Sequence, residues 1–91
     1  MHFKGGVKMT KIEQAYFLDR LNCFCKNAMY RKYRLKINGV NATDLQEYNL
    51  YKTLYLEIIC FFSTFGITLK SIDIIDSFGG TEFPSIKYEL K

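Results

Sequence analysis

Tyr33-Arg34-Leu35-Lys36-Ile37-Asn38-Gly39 decides how many elements this chain has. Apolar and basic residues alternate strictly from Tyr33 to Ile37, as in a strand with one buried face. Asn38-Gly39 is the dipeptide favoured in a two-residue hairpin turn, and Val40 and Ala42 supply a short returning strand. The competing reading carries the preceding helix through Leu35. The alternation and the Asn-Gly together favour the strand, which places Lys32, Arg34 and Lys36 on one solvent face.

Upstream, Thr10 to Met29 reads as a first helix. Thr10 and Glu13 have capping-box spacing, and Phe17, Leu21, Phe24, Cys25 and Ala28 recur at helical intervals. The opposite side carries Ile12, Tyr16, Cys23 and Tyr30, the last three at intervals of seven. Such a second apolar edge is either packed over or left for a partner. Downstream, Leu45 to Phe65 holds the densest apolar run. Tyr51, Leu54, Tyr55, Ile58, Phe61, Phe62 and Phe65 form one helical face, with Gln46, Asn49, Thr53, Glu57, Cys60 and Thr64 opposite. Thr43 with Gln46 marks a start, Asp44 and Glu47 suit the positive end of the helix dipole, and Gly66 marks the stop. The apolar part is too short to cross a membrane, which takes about 20 residues, and Glu57 interrupts it.

After Gly66 the residues turn β-branched. Ile67 and Leu69 alternate on one parity, Ile72 and Ile74 on the other, which predicts a bulge or a change of the buried face. Phe78-Gly79-Gly80-Thr81 is a turn. Ile86, Tyr88 and Leu90 alternate with polar residues in a last strand, with Pro84 at its start or on an edge. The expected fold is α+β, order α-β-α-β-β, with two helices packed on one face of a small antiparallel sheet.

The sequence has 91 residues, 48% of them hydrophobic and 16% aromatic, which bounds it to one ordered domain. That domain is expected over residues 9–91. Lys4-Gly5-Gly6 back-translates to a sequence that permits AAAGGAGG, a bacterial ribosome-binding signal, with Val7 and Lys8 as spacer before Met9. Residues 1–8 are therefore read as a non-native, disordered upstream extension, set aside as a tag would be. Without them the chain loses its only histidine, His2, and two of its four excess positive charges. No apolar run follows the basic start, as a secretory signal requires. The thiols, Cys23, Cys25 and Cys60, make no disulfide framework or zinc set, so reduced cysteines and a cytoplasmic location are expected.

The clearest charge feature is Lys26, Arg31, Lys32, Arg34 and Lys36 with no acid between them, interleaved with Tyr30 and Tyr33. Cations for phosphates and rings for bases are what a nucleic-acid groove uses; a solvated, edge-blunting face has the same look. From Ile37 onward acids outnumber bases, so the molecule is dipolar, which steers protein partners or self-association equally well. Asp73, Asp76 and Glu82 are a weak metal set. With no histidine after Met9 a thiol nucleophile lacks its usual base. No enzyme activity, cofactor, metal or small-molecule substrate is expected.

In general character the chain resembles small accessory proteins of phages and mobile elements in AT-rich Gram-positive bacteria, a resemblance of composition that carries no motif. It implies a non-enzymatic interaction protein that binds, and in that way inhibits, a host protein such as a defence nuclease. Lys26, Tyr30, Arg31, Lys32, Arg34 and Lys36 are the candidate contact residues, for such a partner or, alternatively, for nucleic acid. A homodimer through Ile12, Tyr16, Cys23 and Tyr30 is the third expectation.

Overall fold

The computed structural model describes residues 8–91; the upstream extension expected over residues 1–8 lies, up to Val7, outside them. Four elements follow one another: α1 (Lys11–Asn38), α2 (Ala42–Thr64), β1 (Leu69–Phe78) and β2 (Thr81–Leu90). The order is α-α-β-β rather than α-β-α-β-β.

The first helix begins as the sequence requires. Thr10 accepts the Glu13 N–H at 3.1 Å, and the Glu13 carboxylate accepts the Thr10 N–H at 2.9 Å. It does not end at Met29. Tyr33–Ile37 is its last turns, not a strand, and the physical reason lies in the partners of the basic residues. Arg31 and Arg34, one helical turn apart, both converge on Asp44. Arg, Leu and Lys are also good helix formers. Asn38-Gly39 ends the helix instead of turning a hairpin, Gly39 adopting a φ of 79°. Val40 is exposed in the connection and Ala42 opens α2, so no returning strand exists. The cap of α2 is Asn41 rather than Thr43: its side-chain oxygen accepts the Asp44 N–H at 2.8 Å.

The expected face of α2 is turned inward, with Phe62 fully buried, Tyr51, Leu54, Tyr55, Ile58 and Phe65 half-buried and Phe61 at the rim; the polar positions opposite are exposed. Gly66 stops the helix with a φ of 72°. Its N–H bonds to Ser63 O and that of Ile67 to Phe62 O, the paired bonds of a Schellman turn.

The hairpin is closed by Gly79-Gly80, both at positive φ, as a two-residue turn between twisted strands requires. Pairing is continuous from Leu69↔Leu90 to Phe78↔Thr81. The phase shift in β1 is thus a change of covered face and not a bulge. Leu69 joins Tyr88 against Phe62, while Ile72 and Ile74 are half-buried on the other side.

The helices do not share one face of this sheet. At the backbone only α1 lies along the hairpin, beside β2, and α2 lies on α1. The second helix reaches the strands through side chains, Phe62 packing with Leu69 and Tyr88. Asn22 fixes the contact: its side-chain oxygen accepts the Tyr88 N–H at 2.6 Å and its amide donates to Tyr88 O at 2.9 Å. The side-by-side arrangement makes a slab of 50 × 25 × 16 Å. Its core has two parts: Met9, Leu21 and Phe62 at one end; Cys25, Ala28 and Met29 under Tyr48, Tyr51, Ile86 and Tyr88 at the other. Replacing Asn22 by alanine orphans both main-chain groups of Tyr88. The expected loss is about 1–3 kcal/mol, read from urea unfolding; Asn22→Asp keeps the acceptor alone and should fall between.

Candidate functional site

Helical spacing divides the basic segment three ways. Arg31 Nη1 reaches Asp44 Oδ1 at 2.7 Å, and Arg34 Nε reaches the same carboxylate at 3.1 and 3.3 Å. Both guanidinium groups also sit over the Tyr30 ring at 5.9 Å. Asp44 is 3% exposed. The Asn41 amide at 2.9 Å, then Arg31 and Arg34, hold its carboxyl below the usual aspartate range against the opposing effect of burial. Hydrogen bonds to Tyr30 and Asp44 push the Arg34 guanidinium further toward its charged form. These two arginines tie the end of α1 to the start of α2.

Lys26 takes a second direction, to Asp76 Oδ2 at 3.4 Å. Tyr30 is packed edge-on against Phe83 of β2, with ring centroids 5.6 Å apart, and Tyr33 stacks at a tilt on the same ring at 5.9 Å. Neither tyrosine is a free stacking platform on that side.

Lys32 and Lys36, four residues apart, take the third direction. They line an open cleft of about 950 Å³ between the last turns of α1 and the hairpin. Met29, Ile74 and Ile86 give it an apolar lining, with Ile75 and Pro84 exposed on the strand side. Asp73 and Glu82 line the same space. Two lysines on the helix and two carboxylates on the hairpin therefore border one apolar depression.

Of the six expected contact residues, the fold brings Lys32 and Lys36 together at this cleft and sends Lys26, Tyr30, Arg31 and Arg34 elsewhere. The hairpin side was missed. Its signal is in part strand parity: Asp73 and Ile75 on β1 stand opposite Ile86 and Pro84 on β2, with Glu82 continuing the same face, while Ile74 and Ser85 line the cleft from the other parity. Parity also separates the weak metal set, since Asp73 and Asp76 point to opposite faces of β1.

The second apolar edge of α1 is laid out differently. Ile12 and Tyr16 are 84% and 60% exposed and Cys23 is exposed, whereas Tyr30 lies half-buried beside Phe83. A shallow groove of about 440 Å³ runs between the helices along Phe17, Phe24, Leu54, Ile58 and Phe61. Arg20 lies over one of these rings, 4.7 Å from the centre of Phe24. Cys25 is buried, which pushes its thiol up and keeps it protonated. Among the described residues no helix is long and apolar enough to cross a membrane. Set against protein families, curated proteins and solved structures, the chain matches none of them.

Proposed function

We propose that this chain is a non-enzymatic binding protein that holds a segment of another protein in the cleft between α1 and the hairpin. The observation that carries the reading is the mixed border of that cleft. Lys32 and Lys36 share it with Asp73 and Glu82 around an apolar lining. Apolar contact with a rim of both signs suits a peptide segment, whose own charges are mixed. A phosphate chain wants cations without carboxylates beside them, and the two arginines that would add to such a surface are committed to Asp44. The partner is read as a host protein whose activity is blocked when its segment is held, a defence nuclease being one such target.

A photo-reactive residue at position 75 tests this. In lysate already treated with nuclease it should link to one host protein in stoichiometric amount. Lys32→Glu combined with Lys36→Glu should abolish the link while leaving the circular dichroism unchanged. A link indifferent to those changes contradicts the reading. So does retention on DNA or RNA that falls steeply with salt, by about one unit of log–log slope for each lysine involved.

A further inference from the structure

The two long edges of the hairpin are differently endowed. On β2, Tyr88 turns both its N–H and its C=O toward Asn22 of α1, and Pro84 has no N–H to leave open. Tyr88 is paired with Ser71. In an antiparallel ladder the two members of a pair either exchange both bonds or turn both groups outward. Ser71 therefore turns its N–H and C=O away from β2, and alternation extends this to Leu69, Asp73, Ile75 and Ser77. Lys91 donating to Thr68 O at 3.1 Å, on the opposite parity, fits the same ladder. The backbone of β1 lies beside that of no element but β2; its other contacts, such as Lys26 to Asp76, are through side chains. Among the described residues no main-chain hydrogen bond from elsewhere in the chain reaches its outward groups. An open edge of 10 residues on a two-stranded sheet is a template for another strand.

The side chains say which strand fits. Lys70, Ile72, Ile74 and Asp76 occupy one face of β1. Read backwards, this set is its own complement. A two-fold axis at Asp73 places Lys70 opposite Asp76 of a second copy and Ile72 opposite Ile74, each pair occurring twice. Moving the axis by one residue, to Ile72 or Ile74, loses both ion pairs. Asp76 already takes Lys26 on Oδ2, which leaves Oδ1 for Lys70. The contrary contact is Asp73, which meets its own copy on the axis, on the other face.

We propose that β1 pairs antiparallel with β1 of a second copy about a two-fold axis at Asp73, joining the two hairpins into one four-stranded sheet. The contact is isologous, so it closes at two copies. It relates the two clefts by the same two-fold axis, whatever the clefts hold.

Light scattering and amide hydrogen exchange on the full chain test this together. The expected mass is twice the 10.7 kDa of the chain, with slow exchange at Ser71, Asp73, Ile75 and Ser77 as well as at the residues bonded to β2. Lys70→Asp should give a monomer, and adding Asp76→Lys should restore the dimer with its charges exchanged. Asp73→Asn should tighten it, by about two- to fivefold. Ile75→Pro removes one outward N–H but no bond to β2, so it should yield a monomer with an intact hairpin, and it keeps the test open should the charge-exchanged variant not fold. A monomer at millimolar concentration in both the wild type and Asp73→Asn overturns the proposal. So does a dimer that survives Lys70→Asp and Ile75→Pro with fast exchange at those four amides, as one formed through Ile12, Tyr16 and Cys23 would.

Discussion

Replacing Phe62 by alanine leaves the chain largely unfolded at physiological temperature. The side chain is fully buried at the end of α2 and packs with Met9 and Leu21. Ile58, Phe65, Ile67, Leu69 and Tyr88 close around that cluster, so one ring is shared by both helices and both strands. The same residue accepts the Ile67 N–H that shapes the helix stop, and the contact between the two side chains belongs to that motif. Truncating a buried phenylalanine costs about 3–5 kcal/mol. A single domain has about 5–15 kcal/mol in all, and a slab this thin belongs at the lower end. Urea unfolding followed by circular dichroism should show the transition moved close to zero denaturant, with Phe62→Leu retaining most of it. A loss below about 1 kcal/mol for the alanine variant would contradict the packing described.

Asp44→Ala should be the second most damaging substitution. It strands two arginines at the junction of the helices and takes an acceptor from the Asn41 amide. The carboxylate is buried but the arginine side chains are 29% and 40% exposed, so water compensates part of their loss and the main cost is the broken tie between the two helices. The pH dependence carries a sign. Asn41, Arg31 and Arg34 hold the carboxyl of Asp44 below its ordinary value of 3.8. The stabilisation linked to that ionisation is therefore complete above 3.8 and is lost as the pH falls through and below it. Asp44→Asn should be less stable at neutral pH and should lose this part of the acid limb. What remains will include Glu13, whose carboxyl is lowered by the Thr10 N–H and hydroxyl. Unfolding midpoints from pH 7 to pH 2 check it. Parallel curves for wild type and Asp44→Asn would mean that the arginines do not depend on this carboxylate.

The parts of the fold with local chemistry were legible in the sequence: the Thr10–Glu13 box, the apolar face of α2, the stop at Gly66 and the final hairpin about Gly79-Gly80. Tyr33–Ile37 was not. Over five residues a period of two and a period of 3.6 agree at the two ends, Tyr33 and Ile37, and differ only at Leu35, too little to separate them. What separates them is Asp44, a partner ten residues beyond Arg34 that no local pattern reveals. Asn-Gly was no help, because a residue free to adopt positive φ serves a helix end as well as a hairpin. The misreading carried into the site. As a strand, Lys32, Arg34 and Lys36 form one cationic face; as a helix, Arg34 turns to Asp44 and only the two lysines remain together. The acidic side of the cleft needed, besides strand parity, the placement of β2 along α1, which is a tertiary fact.

The site exists only if α1 runs unbroken to Asn38. Backbone chemical shifts of Tyr33 to Ile37 test that most directly. The structure predicts downfield Cα shifts through all five residues and short contacts between each amide and the residue three before it. Upfield Cα shifts there, with cross-strand contacts from Tyr33–Ile37 to Val40 and Ala42, would restore the hairpin, return Lys32, Arg34 and Lys36 to one face and dissolve the cleft.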